Sequence, residues 1–230
     1  MVSSAGDGMF LTAFPLLAAI LTRDPVLIAG VTIASRLPWL VFSLFTGALA
    51  DRMDRRRLMI GADLIRLVIV GLLGAAILTD TVNIWMLYAC AFLLGSCETL
   101  HVNAAQGLVP AIVKAEDLLE ANARFSSGQI VAVQFIGPPL GVAMFNASKS
   151  LPFIVDAITF AGSAALIAKV PNEHAVDRPT TKFLEDIKEG LRYTRDTLSL
   201  RRLTEILAVI NFFYFAANSL LVLYNEDLLG

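Results

Sequence analysis

The sequence predicts an all-α, polytopic membrane protein, and three observations carry that prediction. Of its 230 residues, 57% are hydrophobic and only 17% charged, with a mean hydropathy of +0.70; soluble domains carry about a quarter charged residues. Apolar runs of the length that crosses a bilayer, about 20 residues, recur along the chain with short polar connections between them. Lys and Arg gather in alternate connections, as the positive-inside rule requires.

Seven spans follow from the apolar runs: Val2–Leu21, Val26–Ala50, Leu58–Leu78, Val82–Gly107, Leu118–Ala147, Leu151–Val170 and Leu203–Tyr224. The opening "MVSSAGDGMF" has neither the basic region nor the cleavage site of a signal peptide. It reads as the interior of a helix that has lost its beginning. The fifth span starts on the polar stretch "LLEANARFSS", which leaves Gly128–Ala147 as its lipid-depth part. Trp85 and Tyr88 suit an interfacial aromatic belt at the start of the fourth span. Cys90 and Cys97 share that span, and seven residues of helix hold them about 10 Å apart, beyond disulfide reach. They are expected to be packing residues.

The connection at 51–57 carries Arg52, Arg55, Arg56 and Arg57, and the region 108–124 adds Lys114 and Arg124. The segment 169–202 adds Lys169, Arg178, Lys182, Lys188, Arg192, Arg195, Arg201 and Arg202. The opposite side holds Arg23 and Lys149, a split of fourteen to two. The first terminus is therefore expected in the cytoplasm of a plasma-membrane protein. Within 171–202, "PNEHAVDRPTT" reads as loop. "KFLEDIKEGLRYTRDTL" then places Phe183, Leu184, Ile187, Leu191 and Leu198 near one helical face, predicting an amphipathic helix along the cytoplasmic surface or linking two bundles.

The connection "GALADRMDRRR" resembles the signature between helices two and three of the major facilitator superfamily, with Gly47, Leu49, Asp51, Arg52, Arg55 and Arg56 in matching positions and Asp54 where the pattern has glycine. The resemblance implies a conformational latch between two helix bundles. Its physics is consistent with that: Gly47 permits close helix approach, and Asp51 can accept an arginine fork. In the fifth span, "VQFIGPPLGVAM" is similar to the helix-five motif of the antiporter branches through Gly137, Pro138 and Gly141, with Val133 and Val142 at the flanking glycine positions. With "GDGMFLTAFPLLA", "LTRDP", "ANARFSS" and "VDAITF", the whole chain resembles the bacterial exporter group that includes enterobactin and macrolide efflux proteins. That implies a six-helix N-terminal bundle over 1–170, a linker over 171–202, and the first helix of a second bundle over 203–230. A complete member has twelve spans, so the chain is expected to be an N-terminal fragment whose partner is the missing C-terminal helices.

Charge inside a membrane is costly and is kept for function or pairing. The candidates are Asp7, Arg36, Asp63, Arg66, Glu98, His101 and Asp156. From helix rise, Asp7 and Glu98 lie about 22 and about 20 Å from the same face, so they can meet at one level. His101 follows Glu98 by one turn and is of a type that titrates near neutral pH. Helices one and four line the central cavity in the resembled family. Asp7, Glu98 and His101 are thus the candidates for proton coupling or cationic-substrate binding. Asp63 and Arg66 are expected to pair at i, i+3. Arg36, at mid-membrane, is expected to face Asp7 or an anionic substrate, and Asp156 to be solvated near the outer face.

These features favour a secondary active transporter, a proton-coupled exporter of a drug- or siderophore-like small molecule working by alternating access. A seven-helix receptor or sensor and a non-transporting fragment are the competing readings. A retinal protein would need a lysine in the last span, and Leu203–Tyr224 has none. Nothing in the sequence has the spacing of a catalytic, metal, cofactor or nucleic-acid site; the expected partners are the bilayer, a small substrate and protons.

Overall fold

The computed structural model describes residues 2–170, 183–211 and 213, in two compact units, Met1–Pro179 and Thr180–Gly230. The first unit is a helix bundle: α1 (Val2–Leu21), α2 (Pro25–Arg52), α3 (Arg55–Leu78), α4 (Ile84–Ile112), α5 (Leu118–Ile130), α6 (Gly137–Ala147) and α7 (Leu151–Ile167). A short 3₁₀ turn, Ala115–Asp117, precedes α5, and a π-helical turn, Val131–Ile136, joins α5 to α6 in one rod. In the second unit, α8 spans Phe183–Asp196 and helix resumes over 198–211. The loop expected at 171–182, the side chains of α8's apolar face and most of the seventh span lie outside the described residues.

Local chemistry sets the helix starts. Asp24 accepts from the Val26 amide at 2.9 Å and is followed by Pro25 in the first turn of α2; Asp54 accepts from the Arg57 amide at 3.1 Å, and Asn83 from Met86 at 3.0 Å. Each side chain satisfies an amide that the helix cannot. Asp54 therefore works here as a cap, with φ at −61°, and the turn asks for no glycine. Among the described residues five helices are long and apolar enough to cross a membrane: α1 to α4 and the rod Ala115–Ala147. Leu151–Ile167 has 17 residues, at the short end of the spanning range.

The α5–α6 rod bends its hydrogen-bond ladder where the sequence demands it. Pro138 and Pro139 have no amide proton to give the preceding turn, and the π-helical turn sits immediately before them. Here α1 lies against bare backbone. A β-carbon on Gly137 would stand 2.5 Å from Gly8 Cα, and one on Gly141 would stand 2.7 Å from the Met9 carbonyl oxygen. Small residues are what let two helices approach this closely in a membrane.

Two apolar clusters stack along the bundle. The larger joins Phe14 and Leu17 of α1, Val70 and Leu73 of α3, Leu87 of α4 and Phe153 and Phe160 of α7. Phe10 stacks on Phe14 at 4.4 Å between ring centres and meets Phe153 edge-on at 5.8 Å. The smaller cluster, at the end bearing the α2–α3 connection, joins Ala50, Leu58, Met59, Ala104, Ala105 and Leu108. Between them along α3 and α4 lie Asp63, Arg66, Glu98 and His101.

The expectation that Gly47 brings helices together is corrected here. The nearest atom to its absent β-carbon is Asn103 Nδ2 at 4.0 Å, an ordinary contact. The tight points of the α2–α4 pair are elsewhere: Gly95 lies against the Ser35 carbonyl, and Gly30 lies under the Tyr88 hydroxyl, which donates to the Leu27 carbonyl at 2.8 Å. Trp85 is exposed, whereas Tyr88 is spent on this clamp.

Gly137→Val is expected to lower stability by about 1–3 kcal/mol through overpacking against backbone. Gly71→Ala, with nothing within 4 Å of the new carbon, should leave stability unchanged or raised by up to about 1 kcal/mol from helix propensity. Thermal unfolding of the two purified variants in detergent checks the contrast.

Candidate functional site

The site is built on four helices that each carry charge into the bundle. On α3, Asp63 is fully buried and Arg66 is 3% exposed. Arg66 Nη1 lies 3.9 Å from Asp63 Oδ1 and 4.0 Å from Asp7 Oδ1 on α1, and its guanidinium stands 5.2 Å from the centre of the Phe160 ring on α7. The expected Asp63–Arg66 pair forms, but as part of a network. His101 Nδ1 on α4 approaches Asp63 Oδ1 to 3.0 Å, inside ion-pair range although off the hydrogen-bond line. Asp7 also accepts from the Ser3 hydroxyl at 3.4 Å. Buried charge persists where partners surround it, and Arg66 has carboxylates on two helices and an aromatic face on a third.

Two cavities meet at this layer. The larger, of about 480 Å³, is lined by Asp7, Arg66, Glu98 and His101 together with Phe125 of α5 and Ile167 of α7. It extends toward the end that carries the α2–α3 connection, through Met59 and Val109. The smaller, of about 90 Å³, shares Asp7, Arg66 and Glu98 and adds Arg36, Asp156 and Phe160. The structure thus brings Asp7, Glu98 and His101 to one cavity. Its lining is mixed, with aromatic and aliphatic walls and a few polar groups, the usual character of a small-molecule site. Most of α5 is exposed, including Phe125.

Two expectations are corrected. Arg36 is exposed on the rim of the smaller cavity, and Asp7 has Arg66 of α3 within ion-pair distance instead. Asp156 is not solvated: it is 1% exposed on α7, covered by the α1 backbone at Gly6. Sequence reasoning also missed Arg66 as the hub of the layer and Asn103, whose amide donates to Thr46 Oγ1 at 2.7 Å and the Ser43 carbonyl at 3.0 Å. The legible signal for Asp156 was its setting, a lone acid in an otherwise apolar run with Thr159 one turn on.

At the α2–α3 connection, Arg55 Nη2 pairs with Asp51 Oδ1 at 3.4 Å while Nη1 donates to the Gly107 carbonyl of α4 at 3.2 Å. Arg56 Nε donates to the Ile167 carbonyl at 3.2 Å, and Nη2 to that of Ala168. These are carbonyls at the C-terminus of α7, where cations are favoured, and that of Ile167 also accepts from the Val170 amide at 3.0 Å. Leu49 packs against the smaller apolar cluster. Gly137 and Gly141 are buried against α1, as described, with Pro138 between them.

A bundle of apolar helices of spanning length around a charged, amphipathic cavity, with a basic connection at one end, is the architecture of a polytopic membrane protein. The chain belongs to the Major Facilitator Superfamily, whose family profile matches residues 1–230. Macrolide efflux protein A of Enterococcus faecalis is 26% identical over 207 residues, covering 87% of this chain and 63% of that protein. Macrolide efflux protein A of Streptococcus pyogenes is 25% identical, covering 90% and 52%, and multidrug efflux pump Tap of Mycolicibacterium fortuitum is 28% identical, covering 96% and 56%. The chain spans between about half and just under two thirds of the length of these curated relatives. Membership of this family sets aside the receptor reading.

Asp63→Asn is expected to destabilise the bundle by about 3 kcal/mol, because it strips buried Arg66 of the counter-charge on its own helix. Asp51→Asn, at a side chain 70% exposed, should cost no more than about 1 kcal/mol. Denaturation of both variants in the same detergent provides the comparison.

Proposed function

We propose that these helices form the cavity-bearing bundle of a proton-coupled exporter of small organic molecules, working by alternating access. The observation that carries the reading is the charge layer. Asp7, Asp63, Glu98 and Asp156 stand in the spans against Arg36, Arg66 and one histidine, and Asp7, Glu98 and His101 line one cavity. Carboxyls outnumber arginines in a low-dielectric site, so protons or a cationic substrate must make up the balance. Asp7 and Glu98, at the junction of both cavities, are the groups on which a proton and a substrate cation would compete.

The roles of the other residues follow from their placement. Asp51, Arg52, Arg55 and Arg56, with Gly47 and Leu49, form the latch that holds one state of the cycle, with Arg55 and Arg56 tying the connection to the ends of α4 and α7. Gly137, Pro138 and Gly141 give α1 a flexible rod to rock against. The first terminus lies in the cytoplasm, so the larger cavity extends toward the compartment from which an exporter loads. The bilayer and the helices of a second bundle complete the pathway. The likeness to efflux proteins for macrolides and other drugs supports export of such compounds.

The test uses the natural reading frame with whatever further helices it encodes, expressed in cells loaded with a cationic dye or a macrolide. Efflux should depend on an inward proton gradient and collapse with a protonophore, and Asp7→Asn with Glu98→Gln should reduce it to that of cells without the protein. Efflux indifferent to the gradient, or full activity of the double variant, contradicts the proposal.

A further inference from the structure

Asp156 is counted in the charge layer, but unlike Asp63 it has no ion-pair partner among the described residues. Thr159 Oγ1 donates to the Asp156 backbone carbonyl at 2.8 Å, and the same oxygen lies 3.2 Å from Asp156 Oδ1. A threonine hydroxyl has a single proton and two lone pairs. That proton is shared between the backbone carbonyl and Asp156 Oδ1, with the shorter contact to the backbone. As a carboxylate, Asp156 would have only the minor share of a bifurcated bond, at a site 1% exposed where no ion pair reaches it among the described residues. Burying an ionised carboxylate so poorly satisfied is prohibitive.

The groups around it agree. From α1, Asp7 faces the same small cavity; from α3, Arg66 faces it with Asp63 behind; α6 contributes no ionisable residue; and across the cavity stand Arg36 of α2 and Glu98 of α4, with His101 one turn beyond. With Asp156 neutral, the carboxyls of Asp7, Asp63 and Glu98 face Arg36, Arg66 and the imidazole of His101.

We propose that Asp156 is a buried proton-binding site, occupied in this conformation by a proton, with Thr159 as the one hydrogen-bonding side chain on the carboxyl among the described residues, and that this proton exchanges with Asp7 through the small cavity. The exchange breaks the O–H bond at Asp156 and forms one at Asp7. The negative charge moves from α1 to α7, and Arg66, already beside Asp7 and over Phe160 one turn from Asp156, turns to follow it. The small cavity, of about 90 Å³, leaves room for water as the carrier, since about 10–15 Å³ of such space holds one molecule. Use of this site in export rests on the proton-coupled reading above; its occupancy by a proton does not.

Infrared spectroscopy of the full chain, labelled with ¹³C in its aspartates and held in lipid nanodiscs at pH 7, tests the assignment. The expected result is a protonated-carboxyl C=O band that carries the label shift, vanishes in Asp156→Asn, survives in Asp7→Asn, and moves to higher frequency in Thr159→Val as its hydrogen bond is lost. Absence of the band in the parent protein, or a band unmoved by Thr159→Val, overturns the assignment, and the threonine variant keeps the test decisive even where Asp156→Asn does not fold. Failure of the export reading would appear separately, as efflux indifferent to the proton gradient with the band intact.

Discussion

A guanidinium held almost wholly out of solvent between helices is the constraint on which the rest of this bundle depends. Arg66 is stable at 3% exposure only because Asp63 on its own helix, Asp7 on α1 and the Phe160 ring on α7 surround it. Those partners have to arrive from separate helices, so the charge network and the packing specify each other. The apolar clusters on either side supply the low dielectric that makes the pairing strong. They also make the balance of charge between them a matter of bound protons or cations.

The close contact of α1 with the α5–α6 rod gives that layer a movable wall. Glycines on both helices remove the side chains that would hold them apart, and the two prolines replace an α-helical turn with a wider one just before the contact. Asp7 rides on α1 one residue before Gly8, so a shift of α1 against the rod would change the distance between Asp7 and Arg66. The α2–α4 pair is fastened differently, by Tyr88 on Leu27 and Asn103 on Ser43 and Thr46.

Much of this was legible in the sequence, for physical reasons that differ by feature. The all-α membrane architecture was written in apolar run lengths, whereas the capping roles of Asp24, Asp54 and Asn83 came only from the structure. The common depth of Asp7 and Glu98 followed from helix rise, because depth in a span is a one-dimensional quantity, and the expectation that they share a cavity came from the family resemblance. Which face each charge presents was not legible, since that depends on helix rotation set by packing. Arg36 was therefore credited with the partner that Arg66 holds, and Asp156, judged by depth, was placed in solvent although α1 backbone covers it. Gly47 and Gly137 show the same limit: both sit in recognisable motifs, yet only Gly137 meets a neighbouring backbone in this conformation.

The central claim is that protons make up the charge deficit of the layer and leave when a cation takes their place. The direct measurement is proton release from the complete natural protein in weakly buffered detergent solution, read with a pH dye, as the lipophilic cation tetraphenylphosphonium is added. The account predicts release of about one proton per cation bound, lost in the Asp7→Asn, Glu98→Gln double variant. Saturable binding of the cation with no proton released would contradict it.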